Sequence, residues 1–336
     1  MNLASVGFRG LLVCALSGLA CGDDGGSGGD EGASSGSSAG DTATPPTTDS
    51  GPMPTTSTSG ADTTAGPMMT TDVDTTAGPD DTTGGNPAQV QAFRFTQMFV
   101  RDPHFFVLGL GVLCVDVTDS TPTGDPSINE QFNAAITGDD PEMPDGNLDL
   151  NLMLIFRPLD QGDGATGPVD FANGTCEVPP TIECDIIEGT NLDSTTYTVM
   201  EQGTCLQPDP THLSSSGYNP PPGSTSGPCF VGAPADVTIS TTDFDLPLSD
   251  AVIAAQFMDN PTNELVAGTL RGFLSTADAE SIVLPMDVQM QTGATTISEL
   301  LPGGNGNCAG HDDRDGDGWF MYVDFTAQRI PTWLGP

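Results

Sequence analysis

The chain has 336 residues, of which 36% are hydrophobic, and it carries 46 acids against 7 arginines and no lysine, a net charge of −39. That balance excludes partners held by clustered basic side chains, nucleic acid and anionic headgroups above all. The missing lysine also excludes lysine Schiff-base chemistry and the phosphate-binding P-loop.

In chain order, residues 1–21 read as a secretion signal. Arg9 and the free amine precede an apolar run from Gly10 to Ala20 that contains Leu11, Leu12, Val13, Leu16 and Leu19. The run is shorter than the roughly 20 apolar residues a bilayer span needs, but it suits a signal peptide. It ends at Gly18-Leu19-Ala20-Cys21-Gly22. This resembles a bacterial lipobox, whose Cys takes a diacylglyceryl group and becomes the mature N-terminus; Gly18 stands where that family usually has Leu. The resemblance implies lipidation at Cys21 and a membrane partner reached through the lipid, at the bacterial outer membrane or cell surface. Several acyl chains on one residue hold a protein stably where one does not.

Residues 22–86 are almost entirely Gly, Ser, Thr, Pro, Asp and Ala, with 11 acids, no base and one branched aliphatic residue, Val73. Such a segment cannot bury enough apolar surface to offset its ordering entropy, so a disordered linker is expected. Asp62-Thr63-Thr64-Ala65-Gly66-Pro67 recurs as Asp74-Thr75-Thr76-Ala77-Gly78-Pro79. A flexible coil of this length reaches about 45 Å, and self-repulsion extends it.

Residues 87–336 read as one disulfide-stabilised β domain. Phe93 to Val100 is an aromatic-rich strand candidate, and Phe105 to Val117 a second, interrupted by Gly109 and Gly111. Ile128 to Ile136 is a helix candidate. Leu148, Leu150, Leu152 and Leu154 alternate with period two, as a strand does. Val237 to Ser240, Phe244 to Leu246, Ala251 to Met258 and Trp319 to Phe325 extend the strand pattern. Ser275 before Thr276-Ala277-Asp278-Ala279-Glu280 is an N-cap ahead of a short helix. The expected fold is mainly β, an antiparallel sandwich or partly open barrel with one or two short helices.

The domain holds six cysteines: Cys114, Cys176, Cys184, Cys205, Cys229 and Cys308. An even count in an exported chain implies disulfides, with fifteen pairings open. Local closure favours Cys176–Cys184 and Cys205–Cys229, which leaves Cys114–Cys308.

The one motif with chemistry is Asp313-Arg314-Asp315-Gly316-Asp317-Gly318. It resembles the calcium loop of EF-hands and dockerins. Carried over, Asp313, Asp315 and Asp317 give side-chain oxygens and Trp319 its backbone carbonyl, with Asp312 as a further donor to a structural Ca2+. Asp324 stands twelfth, where that family usually has Glu. If Trp319 to Phe325 is a strand, Asp324 lies roughly 20 Å beyond Asp317 and takes no part.

The histidines are His104, His212 and His311. None falls in a hydrolase or zinc-protease motif, so no catalytic residue is assigned. His311 and the acidic run Asp139, Asp140, Glu142 and Asp145 read as solvated loops.

The whole chain resembles uncharacterised lipoproteins of the myxobacterial type. The residues that carry this are Leu19-Ala20-Cys21-Gly22-Asp23-Asp24, the acidic Thr/Gly/Pro tether, and Asn307-Cys308 leading to Asp312-Asp313 and Trp319. The expected function is a lipid-anchored, exported envelope protein whose β domain binds structural calcium and has a non-catalytic binding or envelope role, a purely structural coat component included. The alternative is an exported hydrolase of the glycan-acting kind, with calcium supporting its fold.

Overall fold

The computed structural model describes residues 90–336, except 110–112, 122–125, 140, 142–143, 180–182, 188–191, 242–243, 307, 309–310 and 334–336. The signal segment with Cys21 and the linker 22–86 lie outside the described residues. The elements in order are β1 (Gln91–Asp102), β2 (Phe106–Gly109), β3 (Leu113–Asp116), α1 (Ile128–Thr137), β4 (Leu152–Phe156), β5 (Thr166–Cys176), β6 (Glu183–Ile186), β7 (Asp193–Met200) and β8 (Thr204–Leu206). There follow β9 (Thr225–Ser226), β10 (Cys229–Gly232), β11 (Ala235–Ser240), β12 (Asp245–Phe257), β13 (Glu264–Ser275), α2 (Thr276–Ser281), α3 (Met286–Thr292), a 3₁₀ turn (Ile297–Leu300), β14 (Gly318–Arg329) and β15 (Thr332–Trp333).

Eight strands close a ring in the order β1-β4-β5-β7-β10-β12-β13-β14, with β14 paired back to β1. Every pairing in the ring is antiparallel, and the ring follows chain order, so this is an up-and-down barrel carrying insertions. The fold is mainly β and antiparallel, as expected, and the barrel is closed rather than partly open, which removes the free edges an open one would leave.

The lumen is the core. On β14 the side chains of Trp319, Met321, Val323, Phe325 and Ala327 join the buried cluster, facing Phe93, Phe95, Met98 and Val100 of β1. Phe95 stacks on Phe325 at 4.3 Å, and Phe156 meets Phe93, Tyr197 and Phe230 edge-on at 5.7, 5.2 and 5.0 Å. An eight-stranded barrel has an interior just wide enough for such side chains to fill. The packing needs glycine where rings lie against backbone: a Cβ on Gly268 would sit 2.6 Å from the Phe325 ring. A remaining cavity between Leu154, Phe171, Ile253 and Asp193 has a volume of about 10 Å³, room for about one water.

Outside the barrel, β6 and β15 cover one flank. Ala92, Met153, Ile155 and Ala172 pack there against Cys176, Cys184 and Ile330, which is why all five residues of β4 are buried. The period-two run becomes a strand only from Leu152, because the Leu148 and Leu150 N–H groups bond instead to the carbonyls of Cys176 and Ala135. Cys176–Cys184 joins β5 to β6, and Cys205–Cys229 joins β8 to β10, the two local pairings the spacing favours.

Helix α1 carries a capping box of Ser127 and Glu130, and it completes the barrel wall. β1 pairs with β4 only from Gln91 to Arg94. Beyond that, Asn133 accepts from Met98 N–H at 3.0 Å and donates to Met98 C=O at 2.7 Å. Asn129 does the same at Val100, at 2.8 and 3.0 Å. Two amides one helical turn apart thus replace a missing strand. α2 forms where Ser275 caps it; α3 and the 3₁₀ turn exceed the one or two helices expected.

Candidate functional site

Between β7 and β10 the chain leaves the barrel wall, and residues 207–224 form a strap across its outer face. Its foot is held by the Cys205–Cys229 disulfide. Because Met321, Val323 and Phe325 face the lumen, Phe320, Tyr322 and Asp324 face outward, and the strap lies over them. Asp209 N–H donates to the Tyr322 hydroxyl at 3.1 Å, His212 stacks on Phe320 at 3.7 Å, and Gly223 N–H donates to Asp324 at 2.9 Å. The strap then meets the loop after β1 and the loop before β14, and all three histidines lie at that junction.

His104 is buried. Its Nδ1 lies 2.7 Å from Asp116 Oδ2, and Asp116 Oδ1 accepts from Thr118 N–H at 2.9 Å. Burial pushes the Asp116 carboxyl up, but the bonds from His104 and Thr118 prevail and hold it below the ordinary range. His104 Nε2 faces Asp119 Oδ2 at 3.6 Å, and both atoms are buried without a hydrogen-bond partner. Asn129 Nδ2 donates to the other oxygen of Asp119 at 2.8 Å. Arg101 lies near the same carboxylate at 3.8 Å and pairs with Asp324 at 3.0 Å.

Tyr218 of the strap stacks on His104 with ring centroids 3.9 Å apart. Its hydroxyl donates to Asp313 Oδ2 at 2.5 Å, and His311 Nε2 lies 3.1 Å from the same hydroxyl. Burial first, and then the Asp313 carboxylate, push the phenol well above its ordinary value, so it stays a donor. The Asp313 side chain is fully buried, and His311 sits edge-on to Phe106 at 5.2 Å. His311 is thus packed on one side only, and 34% of its side chain stays exposed, so the solvated-loop reading holds in part. Asp102, under Ser214 N–H at 3.0 Å, has its carboxyl pushed up to about 7 by burial, with Asp313 adding to the rise and Ser214 and His104 opposing it.

The carboxylates of the aspartate run go to separate partners. Asp312 binds Arg314 through Nε at 2.9 Å and Nη2 at 2.5 Å, and that guanidinium holds the carboxyl down at about 2. Asp313 goes to Tyr218 and His311, and Asp315 lies 3.7 Å from His212 Nε2. Asp315 N–H bonds Gly318 C=O at 2.8 Å around Gly316, whose φ is +68°, and Asp317 C=O accepts from Thr276 N–H at 2.6 Å. Trp319 is buried, with Nε1–H donating to Pro302 C=O at 2.8 Å. Among the described residues no three or more His, Cys, Asp or Glu side chains are gathered as they would be around a metal ion. Asp324 lies along β14 with Arg101, away from the turn, as strand geometry requires.

The acidic run near residue 140 is a self-capped turn: Asp139 accepts from Asp145 and Gly146 N–H at 3.2 and 2.8 Å, while Asp140 and Glu142 lie outside the described residues. Cys114 and Cys308, the remaining pair, stand as thiols in contact.

The sequence carries no local sign that His104, Asp116, Asp119 and Tyr218 meet, since His104 follows β1, Asp116 and Asp119 lie at and just after the end of β3, and Tyr218 comes from the strap. The one available signal is the rarity of histidine in the chain. Chemically, the junction is a set of carboxylates, imidazoles and a phenol fixed by mutual hydrogen bonds and ring stacking. Its histidine nitrogens face carboxylates and a phenol. Compared with known proteins, the chain matches no family model, no curated protein and no solved structure.

Proposed function

We propose that this chain is an exported bacterial envelope protein, lipid-anchored through Cys21 and held off the membrane by residues 22–86, whose barrel binds a surface ligand without catalysis. The observation that carries the reading is the pair of disulfides, Cys176–Cys184 and Cys205–Cys229, a construction suited to an oxidising compartment. The filled lumen supports recognition at the outer surface, and the strap junction is where rigid polar groups and rings are concentrated.

Calcium belongs to this proposal on the sequence pattern of Asp312, Asp313, Asp315, Asp317 and Trp319. Binding there requires Asp313 and Asp315 to turn from Tyr218 and His212 toward the ion. Calorimetric titration of the oxidised chain is expected to show saturable binding that Asp315→Asn weakens; no heat at millimolar calcium removes the metal from the account.

The hydrolase alternative has one observation in its favour, the Asp102 carboxyl raised to about 7, as a general acid needs. Its burial beneath the strap favours binding. The address is tested by expressing the chain and Cys21→Ser in a bacterium fed a labelled fatty acid. The chain is expected to carry label and sediment with membranes, and the variant to do neither. An unlabelled, freely extracted wild-type chain contradicts the anchor.

A further inference from the structure

Cys308 is buried in the loop ahead of β14, and Cys114 is exposed on β3. The two side chains hydrogen-bond to each other, and Cys308 sulfur also accepts from Val115 N–H. These contacts join two loops that each supply half of the polar junction. The β2–β3 hairpin ends in Asp116, which holds His104, and the loop ahead of β14 carries His311 and Asp313.

We propose that Cys114 and Cys308 close to a third disulfide, which fastens the β2–β3 hairpin to the loop ahead of β14 and fixes the junction between them. The placement of the two sulfurs carries this, and it does not depend on the export reading. Burial, with Cys114 beside it, pushes the Cys308 thiol up to about 12, so the exposed Cys114 is the sulfur that meets an oxidant first. With a disulfide oxidant of the glutathione class, Cys114 thiolate attacks one oxidant sulfur and releases one glutathione thiolate. Cys308 then gives its proton to solvent and attacks the Cys114 sulfur, releasing the second. Two protein thiols are oxidised to one disulfide, and one oxidised glutathione is reduced to two thiols.

The scarcity of basic residues makes the bond easy to read. Cleavage at arginine places Cys308 alone in fragment 272–314 and Cys114 in fragment 102–271, since Arg157 precedes Pro158. The full chain, equilibrated in an oxidising glutathione buffer and alkylated, is digested without reduction. Fragment 272–314 is expected to remain joined to 102–271 until reductant is added, and to come free from Cys114→Ser without it. Fragment-ion sequencing of the joined wild-type pair names the partner of Cys308 directly, so a variant that fails to fold does not leave the question open. The proposal is overturned if Cys308 is alkylated in chain whose other two disulfides are complete, or if its partner is any cysteine but Cys114. Because purified chain is used, a missing bond and a missing anchor are separate results.

Discussion

Asp102 shows what the strap does to single residues. Its carboxyl is buried under Ser214 N–H, with Asp313 and His104 close by, and burial raises it from 3.8 to about 7. Between those values the folded chain holds a proton that the unfolded chain has released, so this group lowers stability as pH rises through that window. Below about 4 the penalty is absent, and above about 7 it is complete. Asp102→Asn keeps an oxygen for Ser214 and removes the charge. Urea unfolding at pH 8 is expected to show the variant more stable than the parent by up to about 3 kcal/mol, with no difference at pH 4. Equal stabilities at pH 8 would mean that Asp102 is solvated. Nothing near Asp102 in sequence marks it as buried, because Ser214 and Asp313 arrive from distant segments. The Asp313–Asp317 run shows the converse. Its residues stand out locally, while Tyr218 and His212, which face the Asp313 and Asp315 carboxylates, become visible only in the fold.

At the scale of elements, legibility followed chemistry. β1 and β14 were plain because aromatic and branched residues line one face of each. β13 was not: Glu264–Ser275 contains Gly268 and Gly272, which weaken strand propensity but leave room for the Phe325 ring and Leu248. α1 was readable as a short helix from its spacing, but not its task, since pairing with the Met98 and Val100 backbone depends on where β4 stops. Asn129→Leu keeps the volume and removes both bonds to Val100 and the one to Asp119, leaving a buried N–H and C=O on β1 without partners. Thermal and urea unfolding are expected to report a loss of about 2–4 kcal/mol. A loss below about 0.5 kcal/mol would mean that water or β1 itself replaces the amide.

For the whole molecule, strand content was evident from the sequence, but ring closure was not. Closure depends on β14 returning to β1 and on β5 meeting β7, pairings that no local pattern encodes. The two disulfides follow from short spacing, and the third pair meets only because the hairpin and the last loop fold together. With 46 acids against 7 arginines the chain disfavours charge-driven binding of polyanions, and the address proposed for it is a cell surface. The intact mass of the mature chain extracted from bacterial membranes, before and after reduction, tests this reading most directly. A mass beginning at Cys21 with added acyl groups, rising by about 6 Da on reduction of three disulfides, is the expected result. A chain that begins elsewhere without lipid, or whose mass reduction leaves unchanged, contradicts it.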